Sequence, residues 1–231
     1  MRYTYILLDS DNTLMDFDAA EDYALTRTLE NFGCPCTVQA KKAYTEINAA
    51  LWEQFNQGLV TRELLMVERF RRFFAKMDFP EADYAQVNEC YKRNLGSRAD
   101  LLPGALEFCR EMSGEAELYV LTNGALQVQQ DRFARSPLRQ YMRNIFISER
   151  TGYQKPQKEY FEYVFARIPG FRKEKAIMIG DSLTSDIAGA NNAGIASCWY
   201  NPSGKACAEG ISCDYIVKDY EQLKRVIRGK G

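Results

Sequence analysis

Histidine is absent from this sequence of 231 residues. Its absence excludes Ser-His-Asp and Cys-His nucleophile systems, and it excludes every zinc or iron site that depends on an imidazole ligand. Acid–base chemistry in this chain therefore has to use carboxylates, lysine, tyrosine or cysteine.

Paired cysteines and long apolar runs are scarce as well. The seven cysteines are scattered, and the spacing in Cys34-Pro35-Cys36 is not that of a zinc knuckle. Reduced thiols and a cytoplasmic location are the predictions. The N-terminus lacks the features of a signal peptide, and no apolar run approaches the ~18 residues of a membrane span. We therefore expect no membrane association.

An excess of charge of one sign is the third absence. The chain has 30 lysines and arginines against 31 aspartates and glutamates, and the two signs are interspersed. This balance predicts no nucleic-acid partner. The arginines form two groups that we predict to lie on solvated helix faces, namely Arg69, Arg71 and Arg72, and Arg132, Arg135, Arg139 and Arg143.

Two aspartates follow a short apolar run near the N-terminus. The run from Tyr5 to Leu8 lacks the polar alternation of a half-exposed strand, so it predicts a strand buried on both faces, as in a parallel sheet. Asp9 and Asp11 then stand at the carboxyl end of that strand, where open α/β sheets bind ligands. Packing gives no reason for two acids there, which makes them candidate functional groups.

The pattern of the chain changes twice along its length. Residues 17–98 contain four segments with apolar residues at helical spacing and no convincing strand, which predicts an all-helical insert. From residue 99 onwards strands alternate with helices, which predicts a parallel sheet covered on both faces. We therefore expect a core made of residues 1–16 and 99–231, and a helical domain made of residues 17–98.

Polar residues follow several of the predicted strands. Because the carboxyl ends of parallel strands meet at one edge of a sheet, one crevice should receive Asp9, Asp11, Thr122, Asn123, Lys155, Asp181 and Asp186. Neighbouring carboxylates raise one another's pKa unless a cation joins them, and Mg²⁺ is the usual choice for oxygen ligands. Asp9, Asp181 and a backbone carbonyl near Asp11 are its predicted ligands. Asp186 either supports this site from behind or caps the helix predicted from Ser185.

A lysine and a threonine complete the predicted crevice. Pro156 fits the first position of a helix, so Lys155 is expected at the positive end of a helix dipole, where a cation is unfavourable unless an anion binds nearby. Thr122 and the amides of the turn after it are natural donors to phosphate oxygens. Asp9 is then suited to attack phosphorus, while Asp11 protonates the leaving oxygen and later accepts a proton from water. Together these groups predict phosphoryl transfer.

Four segments resemble, in chain order, the motifs of the haloacid dehalogenase (HAD) superfamily of phosphohydrolases: ILLDSDNTL, LYVLTNG, the Lys-Pro of YQKPQKEYF, and IMIGDSLTSD. The resemblance spans the chain and implies an α/β fold, with a Rossmann-like parallel-sheet HAD core and an inserted all-helical, C1-type cap. It implies that Asp9 is the nucleophile and Asp11 the general acid/base. It also implies that Thr122 and Lys155 hold the phosphate, and that Asp9, Asp181 and the carbonyl of Asp11 hold Mg²⁺.

Asp11 discriminates among the activities of this family. Dehalogenases that resemble this chain generally lack the acid two residues after the nucleophile, so Asp11 favours phosphate esters, although sugar-phosphate mutases keep both acids. A narrower similarity, carried by DNTLMDFDAAE, TNG, GYQKP and IAGANNAGIASCWYN, is to the pyrimidine 5′-nucleotidase branch, which acts on nucleoside monophosphates. In that branch the cap closes over the site and contacts the base. Asn123 and Phe17 are then candidates to bind substrate, with a hinge or packing role as the alternative for Phe17.

The resemblance therefore predicts a Mg²⁺-dependent phosphomonoester hydrolase, most similar to 5′-nucleotidases. We expect the protein to be a monomer or a weak homo-oligomer. A phosphatase of small sugar phosphates or phosphoglycolate is the alternative within enzymes. A non-catalytic protein that binds a phosphate ligand on the same fold is the alternative outside enzymes. The intact motifs argue against this last alternative.

Overall fold

The computed structural model describes residues 1–207 and 210–230. Over these residues six strands form one sheet: β1 (Tyr5–Leu8), β2 (Glu117–Thr122), β3 (Met142–Ile147), β4 (Ala176–Gly180), β5 (Ala196–Tyr200) and β6 (Tyr215–Val217). The same residues contain nine α-helices: α1 (Phe17–Asn31), α2 (Val38–Asn56), α3 (Arg62–Met77), α4 (Tyr84–Gly96), α5 (Ala105–Met112), α6 (Leu126–Arg135), α7 (Lys158–Phe165), α8 (Ala188–Ala193) and α9 (Tyr220–Arg228). The chain divides into two compact units, Met1–Phe17 with Ala99–Gly231, and Asp18–Arg98.

The sheet places β1 at its centre. The strand order is β3-β2-β1-β4-β5-β6 and all five pairings are parallel. Ile6 and Leu8 pack into the apolar cluster on one face, whereas Leu7 packs into the cluster on the other. All three side chains are fully buried, which explains why this strand has no polar alternation. The predicted α/β fold with a Rossmann-like parallel sheet is confirmed.

Helices cover both faces of the sheet and bury its apolar side chains. Phe108 of α5 and Leu223 of α9 belong to the cluster with Ile6, while Phe161 of α7 and Ala190 of α8 belong to the cluster with Leu7. After β1 the chain adds β2 and then β3 on one side of it. The chain then crosses over and adds β4, β5 and β6 on the other side. The carboxyl end of β1 is therefore the point where strand order reverses, and ligands of open α/β sheets bind at such a point.

Pro156, which was predicted at the first position of a helix, lies before the helix begins. Helix α7 starts at Lys158, and the chain before it forms a turn in which the Gln157 amide donates to the Gln154 carbonyl at 2.8 Å. The expectation that Lys155 lies at a helix dipole is therefore wrong. The helix predicted from Ser185 also differs, because a wide π-helical turn, Leu183–Ile187, precedes α8.

The unit Asp18–Arg98 consists of helices and has a polar cluster in its interior. Asn48 donates to Glu21 at 2.8 Å, and the Arg69 guanidinium donates to Asn88 at 2.6 Å and to Asn48 at 3.3 Å. Arg69 also lies over the Tyr91 ring, with 4.8 Å between its guanidinium carbon and the ring centroid. The prediction that Arg69 is solvated is wrong, because amide oxygens and an aromatic face replace water around it. None of the helices in the described part of the chain is long and apolar enough to cross a membrane.

Candidate active site

Lys155 lies buried between two carboxylates at the carboxyl ends of the strands. Its Nζ donates to Asp9 Oδ1 at 2.5 Å, to Asp186 Oδ1 at 2.7 Å and to the Leu121 carbonyl at 2.7 Å. Burial alone would lower the pKa of Lys155, but the Asp186 and Asp9 carboxylates more than offset this and raise the pKa above its ordinary value. Lys155 is therefore a charged ammonium whose position is set by three acceptors.

The segment that carries Lys155 is held by the turn after β2. The side-chain amide of Asn123 accepts from the Lys155 backbone amide at 3.0 Å and donates to the Lys155 carbonyl at 2.8 Å. Thr122 ends β2, and its hydroxyl accepts from the Gly124 amide at 3.0 Å. Asn123 was predicted to bind substrate. In the structure its side chain forms hydrogen bonds with the backbone of Lys155.

Three carboxylates converge beside Lys155. Asp9, Asp181 and Asp186 each offer an oxygen, and these oxygens lie within 4.8 Å of one another. The backbone amide of Ser182 donates to Asp186 Oδ2 at 3.1 Å. A Cβ on Gly180 would lie 2.1 Å from that same oxygen, so the sequence can place Asp186 here only because residue 180 has no side chain. This contact helps to explain why a glycine ends β4.

Burial disfavours the charged forms of Asp9 and Asp181. Burial, with the neighbouring acids adding to it, raises the pKa of Asp9 well above its ordinary value and the pKa of Asp181 to about 7. When all three carboxylates are ionised, the single charge of Lys155 leaves two negative charges uncompensated. An all-oxygen set of ligands with this charge, two of them buried and Asp181 half-buried, fits a hard divalent cation such as Mg²⁺.

Asp11 lies beside this cluster and is held by α6. Its Oδ1 forms an ion pair with Nη1 of Arg132, and its Oδ2 accepts from Nε2 of Gln129 at 2.8 Å. Arg132 is fully buried, so the prediction that it lies on a solvated helix face is wrong; Arg135, Arg139 and Arg143 are exposed. The carboxylate of Asp11 replaces water around the Arg132 guanidinium.

Phe17 lies at the start of α1, where its backbone amide donates to Asn12 Oδ1 at 3.1 Å. Asn12 itself has a left-handed backbone with φ of 55°, and its amide donates to the Met15 carbonyl at 2.8 Å. Asparagine tolerates this conformation better than most residues. The contact at Phe17 therefore secures the turn that follows Asp11.

Gln129 and Arg132 are the site residues that sequence reasoning missed. Both are polar, but they fall on the same buried face of α6 as the apolar residues Val128 and Phe133. A polar residue on a buried helical face needs a hydrogen-bonding partner. The presence of two such residues on α6 was the signal in the sequence that could have identified them. The partner, Asp11, lies 118 and 121 residues away along the chain.

Comparison with known proteins identifies the family of this chain. A family model described as haloacid dehalogenase-like hydrolase matches residues 3–194. Pyrimidine 5′-nucleotidase PynA of Streptococcus pneumoniae (strain ATCC BAA-255 / R6) is 40% identical, covering 96% of this chain and 94% of PynA. Pyrimidine 5′-nucleotidase YjjG of Escherichia coli (strain K12) is 30% identical, covering 98% of this chain and 99% of YjjG.

A solved structure is also similar. YfnB of Bacillus subtilis (strain 168), which is named as a HAD-hydrolase, is 39% identical over 226 residues, covering 98% of this chain and 96% of YfnB. Its magnesium-bound crystal structure, described as revealing interdomain movement, matches with a TM-score of 0.94 over 98% of this chain and 99% of that one. The chain therefore belongs to the haloacid dehalogenase-like hydrolase family and is an enzyme of that family.

Proposed function

We propose that this enzyme hydrolyses phosphate monoesters through an aspartyl-phosphate on Asp9, with Mg²⁺ as cofactor and pyrimidine nucleoside monophosphates as substrates. The observation that carries the proposal is the buried contact between Lys155 and Asp9 within a cluster of acids. A carboxylate fixed by a lysine at a ligand-binding strand end is suited to nucleophilic attack. Asp11, two residues on, supplies the second carboxylate that such a reaction needs.

The first half of the reaction transfers the phosphoryl group to the protein. An oxygen of Asp9 attacks phosphorus, and the bond from phosphorus to the ester oxygen breaks with its electron pair moving to that oxygen. Asp11 donates the proton that the leaving oxygen takes up. Lys155 holds Asp9 in place and offsets negative charge beside the phosphoryl group, as an ammonium does at such sites.

The second half regenerates the carboxylate of Asp9. Water attacks the phosphorus of the aspartyl-phosphate, and Asp11 accepts the proton that this water loses. The bond between phosphorus and the Asp9 oxygen breaks, and inorganic phosphate leaves. In this scheme the Thr122 hydroxyl is a donor to the phosphate oxygens.

Asp9, Asp181 and the backbone carbonyl of Asp11 are the groups that would hold Mg²⁺, with Asp186 supporting them through Lys155 and the Ser182 amide. The bound ion would offset the charge of the acids and of the phosphate. The cluster of oxygens supports Asp9 and Asp181 as ligands, and the magnesium-bound state of YfnB supports the choice of ion.

Nucleotide substrates are proposed from the relatives. Two proteins that this chain matches over nearly their whole length, PynA and YjjG, are named pyrimidine 5′-nucleotidases.

A substrate panel with Mg²⁺ tests this proposal. Phosphate release from UMP and dTMP is compared with release from purine monophosphates, hexose phosphates and phosphoglycolate, with and without EDTA. We expect the highest kcat/KM for the pyrimidine monophosphates, loss of activity in EDTA, and loss of activity in Asp9→Asn with an unchanged circular dichroism spectrum. A preference for sugar phosphates or phosphoglycolate would overturn the nucleotide assignment. Transfer of phosphate within a sugar would indicate a mutase, and full activity in EDTA would remove the metal.

A further inference from the structure

We propose that Gln129 and Arg132 are positioning residues that aim the carboxyl group of Asp11 at the leaving oxygen of the substrate. The proposal rests on the phosphomonoesterase function proposed above and deepens it. Each residue engages a different oxygen of Asp11, Arg132 through Oδ1 and Gln129 through Oδ2 at 2.8 Å. Two donors on separate oxygens restrict rotation of the carboxyl group.

The orientation of the Gln129 amide is itself set by its surroundings. Ser10, which is fully buried, donates from its hydroxyl to Gln129 Oε1 at 3.1 Å. This contact makes the amide present Nε2, its donor end, to Asp11. Ser10 lies between the two catalytic acids in sequence, so the backbone that carries Asp9 and Asp11 also orients the group that holds Asp11.

A glycine makes room for this arrangement. A Cβ on Gly124 would lie 2.4 Å from Gln129 Nε2 and 2.9 Å from its Cγ, distances that real Cβ atoms do not adopt. The turn after β2 is therefore shaped around the Gln129 side chain. The amide of Gly124 is bound to the Thr122 hydroxyl at 3.0 Å, which fixes the turn in the position that leaves this space.

Arg132 supports Asp11 from the interior. Its side chain is fully buried, while the side chain of Asp11 is 25% exposed. The pair therefore runs from the core towards the crevice, with the carboxylate at the accessible end. Gln129 and Arg132 are three residues apart on α6 and share one helical face, so a single rigid element holds both oxygens.

This arrangement has a consequence that depends on the leaving group. An alcohol such as the 5′-hydroxyl of a nucleoside leaves poorly as an anion, so formation of the aspartyl-phosphate needs a well-aimed proton from Asp11. A nitrophenolate leaves without that proton. The value of kcat/KM reflects only the steps up to and including release of the leaving group. For both esters it therefore reports the first half of the reaction.

The experiment compares kcat/KM for UMP with kcat/KM for p-nitrophenyl phosphate in Gln129→Leu, Arg132→Lys and Gly124→Ala, with Mg²⁺ present. We expect kcat/KM for UMP to fall about tenfold or more, a part of the ~10²-fold to 10⁴-fold that general acid catalysis contributes. For p-nitrophenyl phosphate we expect a change of less than about threefold, since no proton is needed at that step. Arg135→Ala, on the exposed face of the same helix, is the matched control and should change neither value.

Several outcomes would overturn the inference. Equal losses on both esters would mean that the two residues only stabilise the fold, and unchanged kcat/KM for UMP in Gln129→Leu and Gly124→Ala would mean that Asp11 needs no such support. If Arg132→Lys fails to fold, the other two variants still decide between these results. If wild-type enzyme hydrolyses neither ester, the proposed function fails instead, so the two failures are distinct.

Discussion

The side-chain amide of Asn123 binds both polar backbone groups of Lys155, its amide at 3.0 Å and its carbonyl at 2.8 Å. The ammonium of the same lysine lies 2.5 Å from Asp9 Oδ1. Asn123 follows β2 and Lys155 lies between β3 and α7, so this contact joins two of the connections that leave the sheet. The position of the Lys155 ammonium therefore depends on a residue that the ammonium does not touch.

Replacing Asn123 by alanine should weaken hydrolysis and stability together. Asn123→Ala leaves two backbone groups of Lys155 without their partner, which costs about 1–3 kcal/mol for each group that stays buried. Displacement of the lysine by even ~1 Å can reduce the rate by about 10²-fold. Urea unfolding and kcat/KM for UMP measure the two effects. Asn144→Ala, at an exposed position of β3, should change stability by less than about 0.5 kcal/mol. Equal results for the two variants would contradict this role for Asn123.

Gly180 should be intolerant of alanine. The added Cβ would lie 2.1 Å from Asp186 Oδ2, so Asp186 would have to move away from Lys155 and Ser182. We expect Gly180→Ala to lose about 1–3 kcal/mol of unfolding free energy and to bind Mg²⁺ more weakly. Gly114→Ala is the control, because its Cβ would meet its nearest neighbour, the Glu111 carbonyl, at an ordinary 3.5 Å. Wild-type stability in Gly180→Ala would show that Asp186 has room to shift.

Mg²⁺ binding should be visible through Trp199. Its indole nitrogen donates to the Asp181 carbonyl at 2.8 Å, so binding at Asp181 changes the surroundings of the ring. We expect a saturable change in tryptophan fluorescence on Mg²⁺ titration, and stabilisation of about 2.7 kcal/mol at a concentration 100 times Kd. EDTA should reverse both effects.

Two variants identify the source of that fluorescence signal. Asp181→Asn keeps the backbone carbonyl that Trp199 contacts but removes a charged oxygen of the proposed metal site, so the response should be lost or shifted to much higher Mg²⁺. Trp52→Phe removes the second of the two tryptophans, in the unit Asp18–Arg98, and should leave the response unchanged. An intact response in Asp181→Asn would place the ion elsewhere.

Glu21 should make stability depend on pH. Burial raises the pKa of this carboxyl, although Thr45, Arg69 and Asn48 oppose the rise. The folded state then holds the proton more tightly than the unfolded state. The resulting contribution of Glu21 to the free energy of unfolding is therefore present in full below the ordinary glutamate pKa. It is lost as pH rises through the raised value.

Comparison with Glu21→Gln isolates this effect. Unfolding free energies of wild type and variant, measured from about pH 4 to about pH 8, should show the advantage of wild type shrinking as pH rises. Glu81→Gln, at an exposed position in the same unit, should show no such trend. A constant difference between wild type and Glu21→Gln would contradict the prediction.

The local pattern of apolar and polar residues in the sequence was sufficient to predict the architecture. The unalternated apolar residues of β1, the helical spacing across residues 17–98 and the alternation of strand and helix afterwards predicted a parallel α/β sheet, and that sheet is confirmed. The limits of β1 and β2 agree with the sequence patterns, since both strands are apolar runs that end abruptly at polar residues. Turns were predicted less well, because the segment around Pro156 is shaped by bonds from Asn123 and Gln157 that no helical pattern reveals.

By itself, the sequence determined that acids, a lysine and a threonine stand at the ends of parallel strands, because the chain order of these residues follows the order of the strands. Only the tertiary structure decided which of them touch. Lys155 lies against Asp9 and Asp186, and Asp11 is held by Gln129 and Arg132. These pairs are separated by 31 to 146 residues, and side chains that meet across such distances do so through packing rather than through local propensity.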